Sequence, residues 1–441
     1  KVYFSSNMFL NHAATNPVFS FLTTLGDHTD YASEYPFFDE ETRAAKFDAL
    51  RGNGPASGPS ERVLTKTRPN VVVVILESFA RTVMDADVDG RPVMPNMRRL
   101  RDEGVWFENF FANSFRTDRG EVAVLSGFPA QTRMSIMKLP AKSRSLPSLA
   151  RSLAREGYAT SFVYGGDLNF TNQASYMYAT GWQQLVWQRD LRFDTPPSDW
   201  GYDDAVMCDW FADRVIAQSG TGEPFLAGLL TLSSHRPFDV PFSRFDDREL
   251  NAFAFADDCV GRMIDKLRAS PAWDDLLVVL VADHGYPWPR SLSYNEPLRH
   301  RIPMIWTGGA VAGPRVVEEY ASQIDICATI LGQLGVAHDD FDYSKDIFGA
   351  AAPPPPPGGT GARPQRGGAP AVFAYPKDFF RPPPPRKVAY YTFNDGFGVV
   401  DASGEAVWDA TSGKAVSETS PALMDVGRTM LQTTYTDIGN R

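Results

Sequence analysis

The chain has 441 residues, of which 43% are hydrophobic and 22% charged, and its net charge is -10. That size and apolar content suit one large domain with additions or two or three smaller ones, and an acidic chain with no lysine-rich block speaks against a nucleic-acid partner. Cys208, Cys259 and Cys327 are widely spaced with no CxxC, which excludes a zinc ribbon or disulfide framework and predicts buried free thiols.

The chain opens at Lys1 with an aromatic-rich, amphipathic stretch, "NPVFSFLTTLGDHTDYASEYPFF". No stretch reaches the roughly 18 apolar residues of a membrane helix. The expectation is a processed or truncated piece whose membrane anchor lies upstream. Residues 1–68 read as a juxtamembrane leader or linker, with a short helix near 36–50 and a Gly/Pro/Ser loop, "RGNGPASGPSER".

From "RPNVVVVILESF" the pattern becomes regular. A continuous apolar run such as Val71 to Leu76 is the signature of a strand buried on both faces. Helix-like "MPNMRRLRDEG" and "SLPSLARSLAREGY" follow, the second stopped by Gly157. "ATSFVYGG", "EPFLAGLLTLSSH", "DDLLVVLVADHG" and "RIPMIWTGG" are further strands, and "ASQIDICATILGQLG" is a strand edge leading into a helix. Strands alternating with helices predict an α/β domain over 69–350, with a mainly parallel central sheet and helices on both faces. Residues 351–386 are Pro/Gly-rich and read as an insert or linker, with a polyproline ligand as the alternative. Residues 387–441, which begin "KVAYYTFNDGFGVVDASGEAVWDAT", predict a small β-rich segment with an Asp-Gly turn, packed on the 69–350 domain.

Three of the strands end in ionisable residues: Glu77, His235, and the pair Asp283-His284. In a parallel sheet these tips converge beyond the carboxyl ends of the strands. Each has a plain structural reading alone: Glu77 as a cap or a surface salt bridge, Asp-His-Gly as a turn with a capped helix, His235 as a satisfied hydrogen-bonder. Jointly they supply two carboxylates and an imidazole, donors that a divalent metal accepts. Thr117, in "SFRTDRGEVAVLSG", stands just before a helix, where free N–H groups favour an anion. It can be a metal-activated nucleophile, or Thr117 or Asp118 can simply be an N-cap. Arg119 is a candidate phosphate clamp or a structural salt bridge, and His300, preceding another strand, a residue at the site edge.

The ordered set "ILES", "FRTDRG", "TLSSH", "VADHG" and "SQIDICATIL" resembles the lipoteichoic acid synthase branch of the alkaline phosphatase and sulfatase superfamily, over about 69 to 335. The resemblance implies a sulfatase-like α/β fold in an extracytoplasmic domain, periplasmic or on the outer face of the cytoplasmic membrane, hung from several membrane helices. It implies one divalent metal, manganese with magnesium or zinc as alternatives, held by Glu77, Thr117, Asp283 and His284, with His235 near the substrate phosphate. The implied reaction is phosphoglycerol transfer. Threonine attacks a phosphatidylglycerol-like head group, diacylglycerol leaves, and a glycan or glycolipid acceptor takes the phosphoglycerol. Two departures matter. Thr-Asp-Arg-Gly replaces the Cys/Ser-x-Pro-x-Arg pattern of sulfatases proper, which argues against formylglycine chemistry. In "YGGDLNFTNQ" Asp167 is present, but Phe170 and Asn172 stand where a Trp-Asn-Arg run is expected. Asp167 and Asn172 remain the substrate-binding candidates there, and the head group stays open. A hydrolase of the same superfamily, transferring to water, is the alternative, and a non-catalytic binding domain is a third reading.

Overall fold

β-Branched residues stiffen an extended backbone, and the valine-rich run forms strand β1 (Asn70–Leu76), flanked on both sides within an eight-stranded sheet. The structure, a computed structural model, describes residues 30–51, 61–349 and 388–441. Most of the aromatic-rich opening and of the 51–62 loop, and the Pro/Gly-rich 351–386, lie outside the described residues. Successive strand side chains point to opposite faces, and none from Val71 to Leu76 is exposed, so both faces of β1 are covered.

The other strands are β2 (Val105–Phe107), β3 (Ala159–Tyr164), β4 (Gln184–Trp187), β5 (Phe225–Leu230), β6 (Leu276–Ala282), β7 (Met304–Thr307) and β8 (Arg315–Val317). Across the sheet they run β8-β2-β7-β6-β1-β5-β3-β4. β1 is parallel to both neighbours, with Val71 opposite Leu226 on one side and Leu277 on the other. β3 and β4 continue the parallel order. β7 is antiparallel to β6, Met304 facing Val281, and antiparallel to β2. A parallel return needs a long crossover, whereas the 283–303 connection holds only a helical turn, Pro297–His300. The sheet is therefore mixed and mostly parallel.

Helices surround it: α1 (Glu40–Arg51), α2 (Pro95–Glu103), α3 (Thr117–Ser126), α4 (Leu149–Arg155), α5 (Asp204–Ser219), α6 (Arg248–Arg268) and α7 (Ile326–Leu334). Sequence reading missed α5 and α6, although both carry a clear start signal. Asp203 accepts from the N–H groups of Ala205 and Val206, and Asp247 from those of Glu249 and Leu250. The three cysteines are free and buried, as expected.

A four-stranded antiparallel sheet follows: β9 (Ala389–Phe393), β10 (Gly396–Asp401), β11 (Gly404–Asp409) and β12 (Lys414–Glu418). The reading of 387–441 as β-rich holds only to Glu418, because α8 (Pro421–Asn440) is a long helix. Its threonines and two glycines hide the helical spacing of Leu423, Met424, Met430, Leu431, Tyr435 and Ile438, all buried. Among the described residues no helix is long and apolar enough to cross a membrane.

Candidate active site

The parallel register carries on past the strands. The Asp283 N–H donates to the Leu76 carbonyl at 3.2 Å, so Glu77 and Asp283 emerge side by side from β1 and β6. Ser78, with φ 59°, turns the chain sharply, an unusual conformation for a non-glycine residue. The turn lets the Ser78 N–H donate to Asp283 Oδ1 at 2.7 Å, and the His284 N–H donates to the same oxygen at 2.7 Å. Oδ2 has no protein partner among the described residues, and Asp283 is 0% exposed. His284 Nε2 lies 3.6 Å from that oxygen and 3.9 Å from Glu77 Oε1. Glu77 accepts from the Ser78 hydroxyl at 2.7 Å and from Thr117 Oγ1 at 3.2 Å.

Burial, reinforced by Asp283, pushes the Glu77 carboxyl well above its ordinary range. Two carboxylates forced together away from water, with one oxygen left bare, are a poor arrangement for protein alone. They suit a divalent cation, and Glu77, Asp283 and His284 offer ligand atoms within 4.8 Å of one another. The mainly oxygen donor set favours a hard cation.

Thr117 opens α3, but it is not the N-cap. Arg116 occupies that position in extended conformation with no side-chain cap bond. The Thr117 hydroxyl instead turns to Glu77. A second tie holds α3 in place: a Cβ on Gly120 would fall inside the Asp283 carbonyl, so only glycine lets helix and strand end meet.

These groups open into a cleft of about 880 Å³. His235 lies on its wall, Nδ1 2.7 Å from the Arg236 carbonyl. A carbonyl only accepts, so Nδ1 carries the proton and Nε2 is free. Burial lowers the His235 pKa, which favours the neutral ring. The indole of Trp200 lies against that ring, centroids 4.5 Å apart. Trp200 arrives on a loop seated on the glycine pair after β3, where the Tyr202 N–H donates to the Gly165 carbonyl at 3.0 Å.

The other candidates divide. Asp167 lines the cleft but is exposed and accepts from Asn169 through backbone and side chain, both at 2.9 Å. Asn172 is exposed and outside the lining, whereas its neighbours Thr171 and Gln173 line it. Arg119 is buried away from the cleft over the Phe115 ring, and burial brings its pKa down to about 10. His300 is also out of the cleft. It stacks on Tyr391 at 4.0 Å, and burial depresses its pKa to about 3. Arg116, Arg236 and Arg299 line the cleft instead. No apolar run or strand tip marks them in the sequence. "SDWG", a tryptophan in a polar turn, was the one available signal for Trp200.

Residues 69–336 match the sulfatase family model. Phosphoglycerol transferase I of Xanthomonas axonopodis pv. citri is 26% identical over 291 residues, covering 60% of this chain and 40% of the relative. Lipoteichoic acid synthase 2 of Bacillus subtilis is 24% identical over 307 residues, covering 62% and 46%. The chain thus spans less than half the length of these curated relatives. Among solved structures, a protein in the alkaline phosphatase superfamily from Vibrio parahaemolyticus aligns with TM-score 0.73 at 20% identity, over 93% of this chain and 98% of that one. The lipoteichoic acid synthase LtaP from Listeria monocytogenes aligns with TM-score 0.69 at 19% identity, over 90% and 98%.

Proposed function

The chain belongs to the sulfatase family, and from that premise we propose that it is the extracytoplasmic catalytic part of a membrane-associated enzyme that transfers phosphoglycerol from a phosphatidylglycerol-like lipid to a glycan or glycolipid hydroxyl. The observation that carries the reading is the approach of Thr117 Oγ1 to Glu77, 3.2 Å away, beside the Asp283-His284 pair. Relatives named phosphoglycerol transferase I and lipoteichoic acid synthase support the substrate class.

In this reading Glu77, Asp283, His284 and Thr117 hold one divalent cation, manganese by family resemblance. When bound, the cation withdraws charge from phosphate oxygens and lowers the pKa of a ligated hydroxyl. The protein's own groups do the rest. Thr117 points its hydroxyl hydrogen toward Glu77, which leaves its lone pairs for the phosphorus. Thr117 passes its hydroxyl proton to Glu77 as the Thr117 O–P bond forms and the bond from phosphorus to the diacylglycerol oxygen breaks; that oxygen takes a proton from water and diacylglycerol leaves as the alcohol. The acceptor hydroxyl then attacks phosphorus and its proton passes to His235 Nε2, while the Thr117 O–P bond breaks and Thr117 takes its proton back from Glu77; His235 returns its proton to water. The flat face of Trp200 beside His235 offers a surface for a sugar or glycerol at the point of transfer.

The test is release of labelled diacylglycerol from phosphatidylglycerol vesicles, with and without glycan acceptors. Thr117→Ala is expected to lower release by roughly three orders of magnitude or more, the scale seen when a covalent nucleophile is removed. Unchanged activity would sink the nucleophile assignment. Release indifferent to every acceptor would mean transfer to water.

A further inference from the structure

Arg299 belongs to the short helical turn Pro297–His300 and is 5% exposed. Its Nε and Nη1 are buried without a hydrogen-bond partner among the described residues, and no carboxylate there pairs with it. The guanidinium lies over the ring of Tyr294, 4.4 Å from Cζ, itself 51% exposed. A desolvated, unpaired cation is unfavourable for folding. Yet the side chain lines the same cleft as Thr117, Glu77 and His284.

The backbone fixes it there. The Arg299 carbonyl oxygen lies where a Cβ of residue 285 would be, so the glycine of the Asp-His-Gly motif admits the Arg299 backbone. The Ala112 N–H donates to the His300 carbonyl at 2.7 Å, and the Ile302 N–H to the Phe110 carbonyl at 3.1 Å. Among the other cleft cations, Arg116 and Arg236 are exposed and Lys138 leans on Asp118 at 3.8 Å. Arg299 differs in being both buried and held by its neighbours. Guanidinium N–H groups form a planar fork that matches two oxygens of a tetrahedral oxyanion. A divalent cation cancels the charges of Glu77 and Asp283, so an entering phosphodiester brings one negative charge that only a further cation offsets.

We propose that Arg299 is the fixed oxyanion clamp of this cleft, binding the non-bridging oxygens of the phosphoryl group that is transferred. The identity of the ester rests on the phosphoglycerol reading, whereas oxyanion binding stands on Arg299 itself. Calorimetric titration of the protein with inorganic phosphate and with glycerol phosphate, with and without chelator, tests it alongside thermal unfolding. Arg299→Met is expected to weaken phosphate binding roughly 10- to 100-fold, the range for a charge-assisted hydrogen bond. The same variant is expected to unfold at an equal or higher temperature, because an apolar chain replaces an unpaired buried charge. Arg299→Lys is expected to fall between the two in affinity, keeping the charge without the fork. Wild-type phosphate affinity in Arg299→Met overturns the proposal. So does a lowered unfolding temperature with phosphate affinity retained, which is the mark of a structural arginine. If the wild type binds phosphate through Arg299 but releases no diacylglycerol, the lipid reading fails and the clamp stands. If lipid transfer proceeds unchanged in Arg299→Met, the clamp fails and the lipid reading stands.

Discussion

Glu121 lies one helical turn beyond Thr117, fully buried, and both its carboxylate oxygens lack a partner among the described residues. Burial pushes its pKa well above the ordinary carboxylate range, and Asp283 and Asp118 push the same way. The sign follows from proton linkage. Folded protein keeps a proton on Glu121 at pH values where the unfolded chain has lost it. Stability is therefore full below the ordinary glutamate range and declines as pH rises from there toward the folded pKa. Each unit of upward shift is worth about 1.4 kcal/mol. Glu121→Gln has no proton to lose, so its stability between about pH 5 and 8 should fall less steeply than that of the wild type. Urea unfolding across that range, with chelator present, measures it, and identical slopes would show that Glu121 titrates normally. Gly285 is constrained as Gly120 is: a Cβ there would overlap the Arg299 carbonyl oxygen, so glycine admits the turn that carries Arg299.

Elements explain which parts of the site were legible in the sequence. Glu77, Asp283 and His284 end apolar runs, and a run buried on both faces has one rigid exit. Their convergence was readable because parallel register forces it. Arg299 sits on a short helical turn and Trp200 on a loop, both placed by contacts distant in sequence, such as Ile302 with Phe110 and Tyr202 with Gly165, and no local pattern announces them. The direction of β7 was hidden for the same reason, since an apolar run carries no sign. The meeting of α3 with the end of β6 is the most constrained of these contacts. Alanine normally favours a helix over glycine by about 1 kcal/mol, but at Gly120 the added methyl would overlap the Asp283 carbonyl. Gly120→Ala should therefore destabilise the protein by roughly 1–3 kcal/mol, the range for overpacking. It should also weaken cation binding, because Asp283 must shift to make room. Unfolding in urea and titration with Mn2+ report the two effects. A stabilised variant with unaltered cation affinity would refute the contact.

At the scale of the whole molecule, the C-terminal sheet and α8 brace the cleft from behind. The side-chain amide of Asn113 donates to the Tyr390 carbonyl at 2.7 Å, and the Thr392 N–H donates to the Asn113 carbonyl at 2.9 Å. That fastens β9 to the segment that leads into Thr117. Tyr391 stacks on His300 and donates its hydroxyl to the Asn295 carbonyl at 2.9 Å, so the same strand supports the turn carrying Arg299. α8 closes the back. Its Tyr435 hydroxyl accepts from the Thr132 N–H at 3.2 Å and shares a hydrogen bond with Thr132 Oγ1 at 2.7 Å, while its ring meets Tyr35 edge-on at 4.8 Å. The segment that leads into Thr117 and the segment that carries Arg299 are thus both tied to chain beyond residue 388. A protein ended at Gly349 would expose the apolar surface under Tyr390, Phe397 and Met430, all 0% exposed in the full chain, and would release the Asn113 segment. It should fail to unfold cooperatively and should lose diacylglycerol release. Because truncation is severe, a single atom gives the sharper measurement. Tyr435→Phe strands the Thr132 N–H in the interior and should lower stability by about 1–3 kcal/mol, the penalty for a buried unpaired donor. The cleft groups are untouched, so KM for the lipid should hold at temperatures where the variant is folded. A soluble, cooperative and active protein ending at Gly349 would show that the C-terminal unit is an appendage and that the loops hold their places without it.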